Sequence, residues 1–587
     1  MAAFSSLRRG WLGLAAVFYS ALCFWYTWPL GQQLGSAFTG YLHRDASTFL
    51  WNVWHFRHQV LAGHNPFQTP YLFSPDGASL WMHTYTPLLG ALGTLLGQEY
   101  LGLNLGLWLS FVLSGVGAAW LAGRWVQQPL LCVLVGFAFA FSPYKLARWP
   151  EHANLLLTAT VPFYVGAYLQ AFDFAPGRWR PRVRSRRALL AVAGLWVLTF
   201  LSDYYVLAGL CYFSAGYWAW WALRLGDINW RHWRAWVGLG LLVVVGHYLS
   251  RGLGLLGFDD HAGLYWGADL AGYVVPPLGN RYLSTAATEA FWHSPKLYNP
   301  GSVEHVVWLG YLLPLLALVL ALARGGRRHA GLAAPTPADA RPFWALALLF
   351  VALTVPELRW KGHDFWRLPT SLVHYVPFLN NIRCPTRHVL LASLFLSLAA
   401  AIGLDGWLRR APAARGWLVS GALLVALFFE FQVRSYPLVR ATDVPAAYRA
   451  ASAGPGAVLF PVPFGVQDGY RQLGQMDAAD MFYQTQHEHP LPGGYISRVP
   501  AATFAAFRHE APLHQLLLAQ TAPDSLRLLP APTSSELAAF RQRYAGAVFV
   551  IHPEQRQRPA HQLLRQWLLP AGYRERPAPG GYVLLSR

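Results

Sequence analysis

The stretch TGYLHRDASTFLWNVWHFRHQVLAGHNPFQTP, residues 39–70, follows a clean hydrophobic segment, yet it opens on His43, Arg44 and Asp45 and carries a run of aromatics. Written on a helix from 45 to 61, Ala46, Phe49, Leu50, Val53, Val60 and Leu61 fall on one side, and Asp45, Thr48, Asn52, His55 and Gln59 on another. A helix of this kind is too polar to cross a bilayer. It is expected to lie in the interface, with Trp51 and Trp54 at headgroup level. The Pro and Gly residues of HNPFQTPYLFSPDG (64–77) then give turns, and WMHTYTP (81–87) leads back into apolar sequence.

The rest of the chain sets that stretch in a membrane. Of 587 residues, 55% are hydrophobic and 12% charged, about half the charge of a soluble domain, and the mean hydropathy is +0.28. Apolar segments run over 11–30, 84–98, 102–122, 129–142, 152–173, 188–202, 204–224, 235–255, 305–323, 342–356, 387–408 and 416–433. The net charge of +19 sits largely in short Arg clusters between these runs (178–187, 224–234, 324–331, 409–415). That is the pattern of a topology signal rather than of nucleic-acid binding. Cys23, Cys132, Cys211 and Cys384 lie in or beside apolar stretches with no metal-ligand spacing, as small buried hydrophobes do.

Arg8 and Arg9 precede the first span, which has no small-residue cleavage site, so a retained anchor with a cytoplasmic N-terminus is expected. Segment 129–142 is short of the roughly 20 residues a crossing helix needs. If it is partial, all four basic clusters fall inside and the chain has about eleven spans. Residues 31–83, 142–154, 256–304 and 357–387 then share the outer face, as does Asp203. From Tyr436 the composition turns richer in Pro, Gly, Gln and His. The runs AVLFPVPF (457–464), GAVFVIH (546–552) and YVLLSR (582–587) read as strands, ELAAFRQRY and HQLLRQWLL as helices. The expectation is a polytopic α-helical membrane domain over 1–435 and a C-terminal extracytoplasmic α/β domain over 436–587.

An acidic residue just after the first span, followed by a helix along the membrane surface, resembles the GT-C fold of integral membrane glycosyltransferases. The stretches NPF (65–67), SPDG with His83, SPYKLARWPEHANL (142–155), GADLAGYVVPP (267–277), VHYVPFLNNIRCPTRHVLL (373–391) and YQTQHEHPLPGGYISRVP (483–500) resemble a group of bacterial multi-pass proteins assigned to that class. The resemblance implies an inner-membrane enzyme that takes a sugar from a polyprenyl-phosphate donor and passes it, with inversion, to a lipid, glycan or protein acceptor. It implies a catalytic role at Asp45. The second acid that such enzymes often carry is missing beside it; the next, Asp76, reads as a turn residue.

The chemistry asks for a carboxylate to take the acceptor proton, and Asp45 is that candidate. The leaving phosphate asks for fixed cations: Arg44, Lys145, Arg148, Arg281, Arg383 and Arg387 are the outer-face candidates. Arg383 and Arg387, four apart, would share a helix face. Against these stand plainer readings: Asp45 as a helix N-cap, Lys145 and Arg148 as interfacial anchors, and Arg383 and Arg387 as partners of lipid headgroups. His83 and His152 are candidates for the sugar or the cavity wall. Asp203 is a candidate polar group at a span end, and Asp269 the candidate acid of the long outer loop, where Asp259 and Asp260 read as solvated. No cofactor is required. A divalent metal on His43, His55, His58 and His64 lacks a completing acid, and His487 with His489 is a weaker pair still. The rival from another class is a non-catalytic flippase or assembly factor on the same scaffold.

Overall fold

The computed structural model describes residues 2–225, 266–329, 340–375, 382–451 and 457–587, with isolated helical positions between 237 and 245. Most of the expected span at 235–255, and Asp259 and Asp260, lie outside the described residues. The chain divides into two compact units. One comprises residues 1–28, 107–149 and 155–435; the other comprises 29–106, 150–154 and 436–587. The loop 31–83 therefore belongs with the C-terminal residues.

The first unit is a helical bundle. Four helices of the described chain are long and apolar enough to cross a membrane: Glu99–Ala122, Pro129–Arg148, Pro385–Leu408 and Ala413–Glu430. Gly10–Tyr26 and Arg341–Thr354 are shorter apolar helices. Pro385–Leu408 is the axis, with 94% of its apolar window buried, whereas Ala413–Glu430 is peripheral at 17%. Proline starts several of these segments, at Pro129, Pro143 and Pro385, where its missing N–H costs nothing. Pro143 also breaks the 129–148 segment into Pro129–Ala140 and Pro143–Arg148.

Two segments differ from expectation. The one expected to be partial, 129–142, continues through Arg148 and reaches spanning length. The one expected to span, 84–98, is the nine-residue helix Pro87–Leu95, about 13 Å long and too short to cross. Exchanging the two leaves every later segment running in the same direction. A contact supports the exchange. The Gln127 and Gln128 N–H groups donate to the Asp405 carboxylate at 3.1 and 3.0 Å. Arg409 Nη2 donates to the Trp125 carbonyl at 2.8 Å. The 123–128 turn thus sits at the same end of the bundle as the basic 409–415 turn.

In the second unit, helix Ala46–Leu61 is buried over most of its length and packs on Pro87–Leu95 and Ala478–His487. A Cβ on Gly102 would lie 2.4 Å from the Gly93 Cα, so two glycines let Pro87–Leu95 and the start of Glu99–Ala122 meet. Trp51 and Trp54, expected at headgroup level, are 0% and 3% exposed. The polar face is buried too, because it has partners. Trp51 Nε1 donates to Gln484 Oε1 (2.6 Å) and Asn52 Nδ2 to the Thr84 carbonyl (3.1 Å). His55 Nδ1 meets the Tyr85 hydroxyl (3.1 Å).

The same unit holds a four-stranded sheet ordered Arg574–Pro577, Val583–Ser586, Val548–Ile551, Leu459–Val462. The last pair is parallel, with Val548 opposite Leu459; the others are antiparallel. Three of these strands fall inside the apolar runs read as strands. Helices Ser534–Arg543 and Pro559–Leu568 cover all but the last residue of the two stretches read as helical.

Candidate functional site

Asp45 sits at the end of a turn that its own unit holds tightly. Strand Ala37–Thr39 pairs antiparallel with Leu438–Arg440, and the Gly40 N–H donates to the Pro437 carbonyl (2.9 Å). The His43 ring and the Asp477 carboxylate are 2.7 Å apart. Asp477 is itself fixed, since it caps helix Ala478–His487 by accepting from Ala479 N. Ser47 Oγ closes the turn by donating to the Leu42 carbonyl.

Asp45 precedes helix Ala46–Leu61 in the N-cap position, yet its side chain makes no cap hydrogen bond. The carboxylate instead lies 3.6 Å from His152 Nε2, with the Asp45 side chain 45% and the His152 side chain 14% exposed. The plainer reading, a side-chain cap, is therefore not what the carboxylate does. Asp45 and His152 are brought together by a close crossing at Gly40. A Cβ there would stand 2.3 Å from the Ala46 Cβ and 3.1 Å from the Pro150 carbonyl oxygen. An accessible carboxylate beside an imidazole can take a proton and hold it.

His83, also in this unit, is buried at 2% exposure. Its Nδ1 accepts from Ser497 N–H (3.1 Å), which leaves Nε2–H to donate to Asn52 Oδ1 (3.1 Å). Burial pushes its pKa down to about 3, so the ring is neutral and used up in structure. Arg44 is exposed, and Asp76 pairs with Arg543. His55 and His58 spend ring nitrogens on the Tyr85 and Tyr71 hydroxyls. Among the described residues no three His, Cys, Asp or Glu side chains are placed to hold a metal ion.

The bundle contains a separate cluster of buried charge. Glu304, 5% exposed, receives Arg148 Nη2 at 3.1 Å and Arg387 Nε at 3.0 Å, and Arg387 Nη2 as well. Each guanidinium also lies over a ring: Arg148 over Tyr144 at 3.9 Å and Arg387 over Tyr205 at 4.3 Å. Two cations share the Glu304 carboxylate. The Arg148 Nε is buried with no hydrogen-bond partner among the described residues. Arg383, four residues before Arg387, is half-buried, and its backbone N–H donates to the Tyr205 hydroxyl (3.0 Å). Lys145 is sealed, at 0% exposure, donating to Thr158 Oγ1 (2.8 Å).

Asp203 and Asp269 are buried and hold backbone. Asp203 caps helix Tyr204–Ala222 through Val206 N. Asp269 accepts from Ala271, Lys361 and Gly362 N–H groups at 2.8, 3.0 and 2.7 Å, which ties its turn to the hairpin of Glu357–Trp360 and His363–Arg367. Arg281 is exposed. Sequence reading missed Glu304, whose signal was a lone acid against the apolar run VVWLG. It also missed the His43–Asp477 contact, which has no local signal because its partners lie far apart in the chain.

No protein-family model matches the chain, and no curated relative matches it. Solved structures do. The arabinofuranosyltransferase AftD from Mycobacteria is similar over 98% of this chain and 41% of its own length, at 16% identity and a TM-score of 0.45. The oligosaccharyltransferase AglB from Archaeoglobus fulgidus, solved with an inhibitory peptide and a dolichol-phosphate, is similar over 98% and 74%, at 12% identity and 0.41. ArnT from Cupriavidus metallidurans bound to undecaprenyl phosphate is similar over 98% of both chains, at 14% identity and 0.36. This chain thus spans less than half the length of AftD and nearly all of ArnT.

Proposed function

We propose that the protein is an integral membrane glycosyltransferase of the bacterial inner membrane. It takes a sugar from a polyprenyl-phosphate donor and passes it, with inversion, to an acceptor on the outer face. The observation that carries this reading is Asp45: an accessible carboxylate in cap position that leaves the cap unused and faces His152.

In this reading the acceptor hydroxyl loses its proton to Asp45 as its oxygen bonds the anomeric carbon. The bond from that carbon to the phosphate oxygen breaks, and its electron pair leaves with the polyprenyl phosphate. His152 orients the carboxylate and steadies the proton once taken. The developing phosphate charge is assigned to the arginines, with Arg148, Arg383 and Arg387 favoured because two of them share a single carboxylate. The sealed position of Lys145 weighs against a direct role for it.

The test is release of free polyprenyl phosphate from a panel of hexosyl- and pentosyl-phosphate polyprenols, with purified protein and a cell-envelope extract as acceptor source. Release from one or more donors, lost in the Arg383→Ala/Arg387→Ala double variant, is the expected result. No release from any donor, with the protein still folded, would move the reading to a non-catalytic lipid- or glycan-handling protein.

A further inference from the structure

Helices Gly10–Tyr26 and Ala413–Glu430 run side by side in the same direction: Trp11 meets Trp417 at 5.2 Å near their starts, and Trp25 meets Phe428 at 6.2 Å near their ends. Their starts carry Arg8, Arg9, Arg409, Arg410 and Arg415 in sequence, which the distribution of basic residues assigns to the inner side. Between their far ends lies a cavity of about 370 Å³ whose lining comprises Phe24, Trp25, Tyr26, Trp28, Arg281, Gln432, Val433 and Ser435. A short antiparallel pairing brings Arg281 there. Asn280 bridges Val433, Arg281 N–H donates to the Gln432 carbonyl (2.9 Å), and Arg434 N–H to the Gly279 carbonyl (2.8 Å).

The chemistry of this cavity is specific. The amide of Gln432 is spent inside the protein, accepting from Trp25 Nε1 (3.0 Å) and donating to the Tyr26 hydroxyl (3.1 Å). The lining then holds one charged group, Arg281, which is exposed, and no carboxylate. Two helix C-termini face this end, and their carbonyl ends disfavour an anion; Arg281 reverses that sign. Trp25 and Trp28 are 55% and 47% exposed, as indoles at a headgroup boundary are. Leu14, Val17, Leu418, Val425 and Phe429 leave the flanking helix faces apolar and exposed, a surface matched to acyl chains.

We propose that this cavity is a binding site for one anionic phospholipid of the outer leaflet. The headgroup phosphate sits on Arg281, the glycerol region lies among Trp25, Trp28 and Phe24, and the chains run down the two exposed helix faces. The site follows from the bundle alone and does not depend on glycosyl transfer.

The test is native mass spectrometry of the full chain in detergent, titrated with phosphatidylglycerol, with phosphatidylcholine of the same chains, and with undecaprenyl phosphate. Wild type should retain phosphatidylglycerol at least five-fold better than phosphatidylcholine. Arg281→Gln should fall to the phosphatidylcholine level with its melting temperature in lipid-free detergent unchanged, and Arg281→Lys should keep most of the preference. Arg434→Gln, outside the lining and paired with Glu289, should behave as wild type. Equal retention of the two phospholipids by wild type, undiminished retention by Arg281→Gln, or displacement of phosphatidylglycerol by equimolar undecaprenyl phosphate would each overturn the proposal.

Discussion

Asp45 begins a helix without capping it, and that separates two roles a sequence cannot tell apart. Replacing an Asp that caps costs about 1 kcal/mol of stability. Here the carboxylate makes no cap bond, so Asp45→Ala should change unfolding free energy by less than about 0.5 kcal/mol, measured by chemical denaturation in detergent. Glu304 behaves oppositely. It is the shared counter-charge of two buried arginines, and Glu304→Gln should destabilise the bundle by about 3–5 kcal/mol, because it strands two buried cations. A melting temperature within a degree of wild type would contradict that. The position of Asp45 after the first span was readable in the sequence. Its partner His152 appeared only as a separate candidate, because the fold and not the chain order puts a residue 107 positions away within 3.6 Å.

The elements around Asp45 are set by close crossings more than by amphipathic pattern. A methyl group at Gly40 would strike Ala46 and the Pro150 carbonyl, pushing the 41–46 turn off the segment that carries His152. Gly40→Ala should therefore cut turnover by roughly 10²-fold through misplacement of a reacting group, with a melting temperature that shows a folded protein; turnover equal to wild type would remove the crossing from the account. The periodicity of residues 45–61 was read correctly as a helix and wrongly as a surface one. Its polar stripe of Asn52, His55 and Gln59 looks solvent-facing by pattern, but is buried against Thr84, Tyr85 and neighbouring chain. Such partners come from distant sequence, and a helical wheel carries no information about them. The strands at 459–462, 548–551 and 583–586 were readable for the converse reason: short continuous apolar runs bounded by Pro and Gly mark buried strands by themselves.

At the scale of the whole molecule, the buried histidines of the second unit set its acid sensitivity. His55 and His83 have folded pKa values lowered by burial to about 3, against 6.5 when exposed. A depressed histidine is neutral in the fold and takes a proton on unfolding, so its stabilisation is complete above about pH 6.5 and is lost as pH falls toward 3. Each contributes a slope of about 1.4 kcal/mol per pH unit in that window. The melting temperature should fall steadily below pH 6, and His83→Gln should remove one proton's worth of that slope; an unchanged slope would show His83 to be silent. One break between the compact units falls at residues 435–436, where the composition also shifts. It was not legible that 31–83 joins the C-terminal residues, since strand Ala37–Thr39 finds Leu438–Arg440 four hundred residues on.

The most direct measurement is the turnover of Asp45→Asn beside wild type, with the donor that wild type uses and with both proteins at matched melting temperature. Asparagine keeps the size and one acceptor oxygen of the side chain, exchanges the other oxygen for an amide donor, and removes the negative charge and with it the capacity to accept a proton. A loss of roughly 10²–10⁴-fold in polyprenyl phosphate release with donor binding retained is the predicted result. Release at the wild-type rate would contradict the central claim and leave Asp45 without a part in the chemistry.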